Sequence, residues 1–232
     1  MTIRRAVSAD LPALQQLWQE VFGDPPAFTD RFYNAFGAEC ALVAIAGDFI
    51  AGDEIANDKI PDGEIVAMLH TLPTALACEG QARWGAYLYA LATSPAYRGR
   101  GIASRLLAYA ESAPFSAPPT LAGAGACGLS VPSRSAIEFT LLIPGEASLF
   151  SFYESKGYTR KAAVLSPEAP DYPAHLRQGS QSTPIFLKTE PFYNLSLRIP
   201  ESVPPPMETA LWKPLSDRPF PESTPILSHF MQ

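Results

Sequence analysis

The chain has 232 residues, of which 47% are hydrophobic and 17% are charged, and its formal net charge is −6. This apolar content supports a folded core and excludes wholesale disorder. The negative net charge argues against nucleic acids and anionic membranes as partners, because both attract basic surfaces.

The cysteines and the uncharged segments argue for a protein of the reducing cytoplasm. Cys40, Cys78 and Cys127 are odd in number, far apart and without a CxxC pair, which argues against a disulfide framework and against a zinc knuckle, and no metal site is predicted. No apolar stretch follows the arginines near the start, so no signal peptide is predicted. The longest uncharged stretch, residues 112–133, contains four prolines, so no membrane span is expected.

The first third of the chain is predicted to form a strand and two helices. The strand covers residues 3–7. Apolar residues then recur at helical spacing from Leu11 to Val21, after capping residues at 8–10 and before Gly23. A second helix is predicted over residues 28–36, where aromatic residues repeat with a helical period.

The middle of the chain is predicted to supply most of a sheet. Residues 41–46 and 49–55 flank a Gly-Asp turn, which is the pattern of a β-hairpin. Further strands are predicted over 64–78, 86–93 and 139–143, and the second of these has the uncharged character of a central strand. Helices are predicted over 102–111 and 147–155. Residues 112–136 are rich in Ala, Gly, Ser and Pro and are predicted to be a flexible insertion.

The end of the chain is punctuated by proline, with thirteen of the 24 prolines after residue 160. Strands are expected at 161–165, 192–199, 208–212 and 226–230. We therefore predict a core domain over residues 1–165 and a proline-rich extension over 166–232 that contributes closing strands. The order of elements predicts a mixed α/β (α+β) fold with one main sheet.

An arginine-bearing turn is the strongest candidate site. Residues 80–110 contain four arginines and no acid, and three of the arginines lie at or just after the turn that follows the central strand. Glycines let a ligand approach the backbone, and a helix start favours anions. The turn lacks the Gly-Lys-Ser/Thr end of a P-loop and the third glycine of a dinucleotide-binding turn. From composition, a phosphate site and a solvated surface turn are equally compatible with this segment.

Two motifs resemble the GNAT superfamily of acyl-CoA-dependent N-acyltransferases. Arg98, Gly101 and Ala103 match its acyl-CoA loop, which is Arg or Gln, two residues, Gly, one residue, then Gly or Ala. Phe152–Tyr158 resembles its second signature, an aromatic-Tyr pair ahead of a Gly-aromatic pair. The resemblance covers about residues 2–165. It implies a central mixed sheet, mostly antiparallel, with a splayed pair of parallel strands and flanking helices.

The resemblance also implies acetyl-CoA as the cosubstrate. Backbone groups of Leu91 and Thr93 would pair with the pantetheine arm, and the N–H near Leu91 would polarise the thioester carbonyl. The N–H groups of residues 99–104 would hold the pyrophosphate, assisted by two arginines. The residues implied in binding are Leu91, Ala92, Thr93, Arg98, Gly99, Arg100, Gly101, Ile102, Ala103 and Ser104.

Tyr153 aligns with the tyrosine that the superfamily uses as general acid toward the coenzyme A thiolate, and the alternative is a packing role in an amphipathic helix. The acceptor amine must lose a proton, for which the family offers no fixed base. The candidate bases at predicted strand ends, each of which could equally be structural or solvated, are Glu54, His70, Tyr89 and Glu146. Many relatives carry Asn where this chain has Glu146.

These features predict transfer of an acetyl group to a primary amine of a small molecule or peptide by direct attack, in a monomer or homodimer. A covalent intermediate is not expected, because apolar surroundings raise the pKa of a thiol. One alternative is a non-catalytic acyl-CoA-binding sensor or interaction module, and a weaker one is a phosphate-binding domain unrelated to coenzyme A. By analogy, the acceptor pocket would be lined by aromatic residues that more commonly form core: Trp18, Phe22, Phe28, Phe32, Tyr33 and Phe36.

Overall fold

The computed structural model of the chain describes residues 1–46, 63–78, 81–112, 137–165, 185–188, 209–220 and 226–228. The chain divides into two compact units, and two long strands contribute to both. Unit 1 comprises Met1–Thr71 and Leu88–Ala113, and unit 2 comprises Leu72–Tyr87 and Pro114–Gln232.

Three predicted segments fall outside the described residues. They are the second strand of the hairpin at 49–55, nearly all of the insertion at 112–136, and the strand at 192–199.

Unit 1 contains an antiparallel arrangement of strands. These strands are β1 (Thr2–Arg5), β2 (Ala41–Ile45), the first part of β3 (Ile65–Cys78) and the second part of β4 (Gln81–Thr93). β1 pairs antiparallel with β2, β2 pairs antiparallel with β3, and β3 neighbours β4. Every residue of β2 is buried, as its uninterrupted apolar sequence leads one to expect.

The described part of unit 1 also contains three α-helices, α1 (Leu11–Phe22), α2 (Pro26–Phe36) and α3 (Ile102–Ser112). The predicted stop of α1 at Gly23 is confirmed: this glycine has φ 72°, and its N–H donates to the Gln19 carbonyl. α2 begins earlier than the aromatic repeat indicated. Pro26 occupies its first turn. The N–H groups of the first turn have no acceptor within the helix, so a proline there costs no helical hydrogen bond.

Unit 2 contains the remaining elements. They are β5 (Phe139–Leu142), α4 (Leu149–Glu154), β6 (Arg160–Leu165), β7 (Ile185–Lys188), β8 (Thr209–Pro214) and β9 (Ile226–Ser228). β8 pairs antiparallel with both β5 and β6, while β9 runs parallel to β6 and β7. The domain boundary at residue 165 stays a prediction.

The pairing of β4 with β5 is parallel. It runs from Gly85 opposite Phe139 to Tyr87 opposite Leu141, whereas β4 itself continues to Thr93. The strands therefore pair over only part of β4, as expected for two strands that splay apart. The predicted fold, a mixed and mostly antiparallel sheet with a parallel pair and flanking helices, is confirmed.

Two strands depart from the sequence prediction. β4 begins at Gln81 rather than at residue 86, because Arg83 and Gly85 are drawn into the core of unit 2. A Cβ at Gly85 would clash with the ring of Phe139, so the missing side chain is what permits this packing. β7 was not predicted. It pairs antiparallel with residues 74–77 of β3, a distant contact that a local pattern does not reveal.

In the parts of the chain that the structure describes, no helix has the length and apolarity needed to cross a bilayer.

Candidate active site

The turn between β4 and α3 presents backbone N–H groups at the start of a helix. Gly99 and Gly101 have φ 75° and 74°, they are exposed, and a Cβ on either would meet no atom within 4 Å. Glycine is therefore required for the backbone conformation and not for packing. The first hydrogen bond of α3 runs from Arg105 N–H to the Gly101 carbonyl at 3.1 Å. The N–H groups of the first helical turn have no acceptor within the helix.

Two exposed arginines flank this turn. Arg98 Nε donates to the Thr93 carbonyl at 3.2 Å, and Arg100 Nη2 donates to the Ala96 carbonyl at 3.4 Å. The Arg100 guanidinium also lies 5.2 Å from the ring centroid of Tyr97. A guanidinium has five N–H donors and both side chains are exposed, so each arginine can also donate to an anion.

The strand that leads into the turn is kinked at Ala90. Its φ of 47° makes it the one non-glycine residue with positive φ among those the structure describes. Backbone strain of this kind costs about 1–3 kcal/mol and clusters at functional sites. The sequence carried no signal for this conformation, because alanine is not a residue that favours positive φ.

His70, a candidate base, lies in the middle of β3 and not at a strand end. Its side chain is fully buried, and its Nε2 lies 2.9 Å from the hydroxyl of Tyr33. Its ring centroid is 5.1 Å from those of Trp18 and Phe32. Burial lowers the pKa of His70 to about 3, so the imidazole is neutral at physiological pH.

Tyr89, another candidate base, belongs to the same aromatic cluster. Its ring stacks on Phe32 with a centroid separation of 5.6 Å, and it lies 5.9 Å from Trp18. Of the six aromatic residues that were expected to line an acceptor pocket, Trp18, Phe32 and Tyr33 are buried, whereas Phe22 is 43% exposed. The role of this cluster in binding an acceptor stays a prediction.

The other candidate catalytic residues belong to unit 2, except Glu54, which lies outside the described residues. Tyr153 is on α4 and is 8% exposed, and burial raises its pKa to about 12. Its ring centroid lies 5.1 Å from that of Phe152. Glu146 is exposed in the turn before α4 and accepts a hydrogen bond from Ser148 Oγ at 3.0 Å.

The N-terminal part of the chain is similar to a known protein family. A family model described as "Acetyltransferase (GNAT) domain" matches residues 2–113. Over residues 2–113 the chain therefore matches the GNAT acetyltransferase family. No curated protein sequence matches the chain.

Solved structures share the GNAT fold at low identity. The GNAT family N-acetyltransferase YhbS from Escherichia coli, in complex with CoA, is 14% identical, with 98% of this chain and 88% of that chain covered and a TM-score of 0.50. The ribosomal-protein-S18-alanine N-acetyltransferase from Escherichia coli is 15% identical, with 92% and 93% covered and a TM-score of 0.43. A GCN5-related N-acetyltransferase from Anabaena variabilis is 17% identical, with 70% and 32% covered and a TM-score of 0.44. This chain spans about a third of the length of that last protein.

The turn has the conformation and the charge that suit a bound phosphate group. The space next to Gly99 and Gly101 is open where a Cβ would stand, so a phosphate can approach the backbone. The helix start and two exposed arginines supply positive potential at the same place. Among the described residues no group of three His, Cys, Asp or Glu side chains is placed to hold a metal, and the absence of a metal stays a prediction.

Proposed function

We propose that this protein is an acetyl-CoA-dependent N-acetyltransferase that transfers the acetyl group to a primary amine of a small molecule or peptide by direct attack. The turn over residues 98–104 is the observation that carries the proposal most strongly. It combines two left-handed glycines, a helix start and two exposed arginines directly after a kinked strand. The family match supports acyl-CoA-dependent acyl transfer, and the acetyl group and the amine acceptor are our inference.

Bound acetyl-CoA would supply the activated acyl group, and the residues around the turn would hold and polarise it. The N–H groups of residues 99–104 bind the diphosphate, and Arg98 and Arg100 neutralise its charge. The backbone of Thr93 pairs with the pantetheine arm. The N–H near Leu91 donates to the thioester oxygen, where negative charge develops during attack.

The proton transfers need a donor for the leaving thiolate and an acceptor for the amine proton. Tyr153 is our proposed donor on the strength of its sequence motif, and its raised pKa keeps the phenol protonated at neutral pH, as a donor must be. Glu54, His70, Tyr89 and Glu146 stay the candidate bases, with His70 weakened in this role by its complete burial. Cytoplasmic location and a monomeric or homodimeric state also stay predictions.

A binding experiment tests the turn with a matched pair of glycine variants. Gly101→Ala and Gly23→Ala place the same side chain at nearly the same φ, 74° and 72°, and both Cβ atoms enter open space. Both variants should therefore lose similar stability, while only Gly101→Ala should weaken coenzyme A binding in calorimetry. Equal affinities for the two variants, or no binding by the wild type, would contradict the proposal.

A turnover experiment tests the chemistry. Acetyl-CoA consumption, followed by thiol release across a broad panel of amines, should identify at least one acceptor. Tyr153→Phe should lower kcat and leave coenzyme A affinity nearly unchanged, whereas Tyr158→Phe removes a buried hydroxyl that bonds Thr140 and should affect stability but not kcat. If the wild type binds coenzyme A but consumes no acetyl-CoA with any amine, a non-catalytic acyl-CoA-binding module replaces the proposal.

A further inference from the structure

A buried polar pair in unit 1 connects α2 and β3. The hydroxyl of Tyr33 and Nε2 of His70 are 2.9 Å apart, and the two side chains are 5% and 0% exposed. Aromatic rings surround the imidazole, with Trp18 and Phe32 each at 5.1 Å between centroids. A polar ring enclosed in this way depends on protein groups for its hydrogen bonds, because water does not reach it.

The imidazole also lies against the kinked strand. The backbone of Tyr89 and that of Ala90 are within reach of His70 and partly oppose the lowering of its pKa by burial. Nevertheless Nδ1 is buried without a hydrogen bond of normal geometry to any described residue. A buried, unsatisfied nitrogen of this kind is rare in native proteins and calls for an explanation. Here it coincides with the one positive φ outside glycine in the described chain.

We propose that His70 is a positioning residue that maintains the kink at Ala90. Tyr33 donates its hydroxyl proton to Nε2, so the imidazole proton resides on Nδ1 and faces the carbonyl groups of Tyr89 and Ala90. The pair thereby holds the backbone that precedes Leu91 in the conformation that presents the Leu91 N–H. This role rests on the proposed function, in which that N–H polarises the thioester carbonyl.

The geometry favours positioning over acid–base chemistry for His70. A base must offer an accessible free nitrogen to the proton it removes, whereas Nε2 is engaged by Tyr33 and Nδ1 is buried. The imidazole is also enclosed by Trp18 of α1 and Phe32 of α2, each 5.1 Å away between ring centroids. Its contact with the reaction therefore runs through the backbone of β4.

The first test reads the tautomer directly and needs no activity. In the wild type with ¹⁵N-labelled histidine, the imidazole shifts of His70 should show a neutral ring with the proton on Nδ1. His70→Asn provides the assignment by loss of its signals and also serves in the second test. A ring protonated on Nε2, or on both nitrogens at neutral pH, would overturn the proposal.

The second test compares two amides of matched chemistry. His70→Asn places its amide nitrogen near the position of Nδ1 and retains a donor toward the kink, whereas His70→Gln extends its amide toward the position of Nε2. We expect His70→Asn to lower kcat less than His70→Gln does, because it retains the donor toward the kink. We expect His70→Gln to lower kcat by about 10-fold to 100-fold with little change in coenzyme A affinity, in the range set by oxyanion-hole donors. Equal losses in the two variants, or no loss in either, would overturn the positioning role.

The kink itself provides a readout that separates this inference from the proposed function. The ¹³Cα and ¹³Cβ shifts of Ala90 report its φ, and they should retain the left-handed signature in His70→Asn and lose it in His70→Gln. Tyr33→Phe keeps the ring and removes the hydroxyl donor, so it should also shift the tautomer of His70. This variant supplies the test if His70→Gln does not fold. If the wild type proves inactive, the proposed function fails and these shifts still decide whether His70 maintains the kink. If the ¹³Cα and ¹³Cβ shifts of Ala90 are unchanged in every variant, His70 does not maintain the kink and the proposal is refuted.

Discussion

Arg83 is buried in unit 2 and is surrounded by acceptors. Its Nε and Nη2 donate to Glu138 Oε2 at 2.9 and 2.6 Å, and Nη2 also reaches Ser216 Oγ at 3.1 Å. The carbonyl groups of residues 218–219 accept further bonds from the guanidinium. The guanidinium carbon lies 3.3 Å from the ring centroid of Phe220. We expect this arginine to stabilise unit 2 more than any exposed ion pair would.

The contacts of Arg83 set the loss of stability expected when its guanidinium is removed. Breaking a buried ion pair from one side costs about 3–5 kcal/mol, because the remaining charge stays buried. The lower end applies to Arg83→Met, since the Glu138 side chain is 16% exposed and Arg218 lies 3.8 Å from its Oε1. We therefore expect a loss of about 3 kcal/mol in the free energy of unfolding. The double variant Arg83→Met/Glu138→Leu should lose less than the sum of the two single variants, by about 1–3 kcal/mol.

Thermal melts and urea titrations of the two single variants and the double variant measure this coupling. A loss of 3 kcal/mol corresponds to a Tm lower by roughly 6–12 °C for a chain of this length. Arg31→Met is the control, because that arginine is exposed on α2 and its Nε donates to a single backbone carbonyl at 3.3 Å. The reasoning would be refuted if the stability losses of the two single variants simply added in the double variant. It would also be refuted if Arg83→Met lost no more stability than Arg31→Met.

Three further predictions concern other parts of the chain. Arg98→Ala should weaken coenzyme A binding by about 10-fold to 150-fold in calorimetry, whereas truncation of the α2 arginine used above as a control should not. Gly85→Ala should lower the free energy of unfolding by about 1–3 kcal/mol, because its Cβ meets an aromatic ring of β5, while Gly145→Ala, with open space, should be neutral in melts. The hydrogen bond from Arg4 holds the folded pKa of Asp10 below its ordinary value of 3.8. The stability that Asp10 adds over Asp10→Asn should therefore be complete above that pH and disappear as the pH falls below it, and pH-dependent melts that show no such convergence would contradict this.

The candidate turn could be predicted from the sequence because the residues that set its conformation lie within the turn itself. A backbone with φ near 75° selects glycine, and Gly99 and Gly101 stand at those two positions. The helix start and the neighbouring arginine are likewise specified within a few residues. For the same reason the helical period located α1 and α3 closely, with α3 ending one residue beyond its predicted end.

The first half of β4 could not be predicted from the sequence in this way. Arg83 and Gly85 are residues that weaken a strand prediction, yet both lie inside the observed strand. They form strand because Glu138, 55 residues further along the chain, pairs with the arginine, and because the ring of Phe139 fills the space that the glycine leaves. A pattern over neighbouring residues contains neither partner.

The sequence by itself determined the order of the elements from β1 to β6, the glycine turn and the motifs that resemble GNAT proteins, because each depends on the conformational preferences of adjacent residues. Only the tertiary structure decided which of the candidate groups are buried and what they contact. His70 is fully enclosed and bonded to Tyr33, 37 residues away, and Ala90 has a conformation that its own side chain does not favour. The protonation state of a buried group and the strain at a kink depend on which distant residues share the core, and a linear pattern does not specify them.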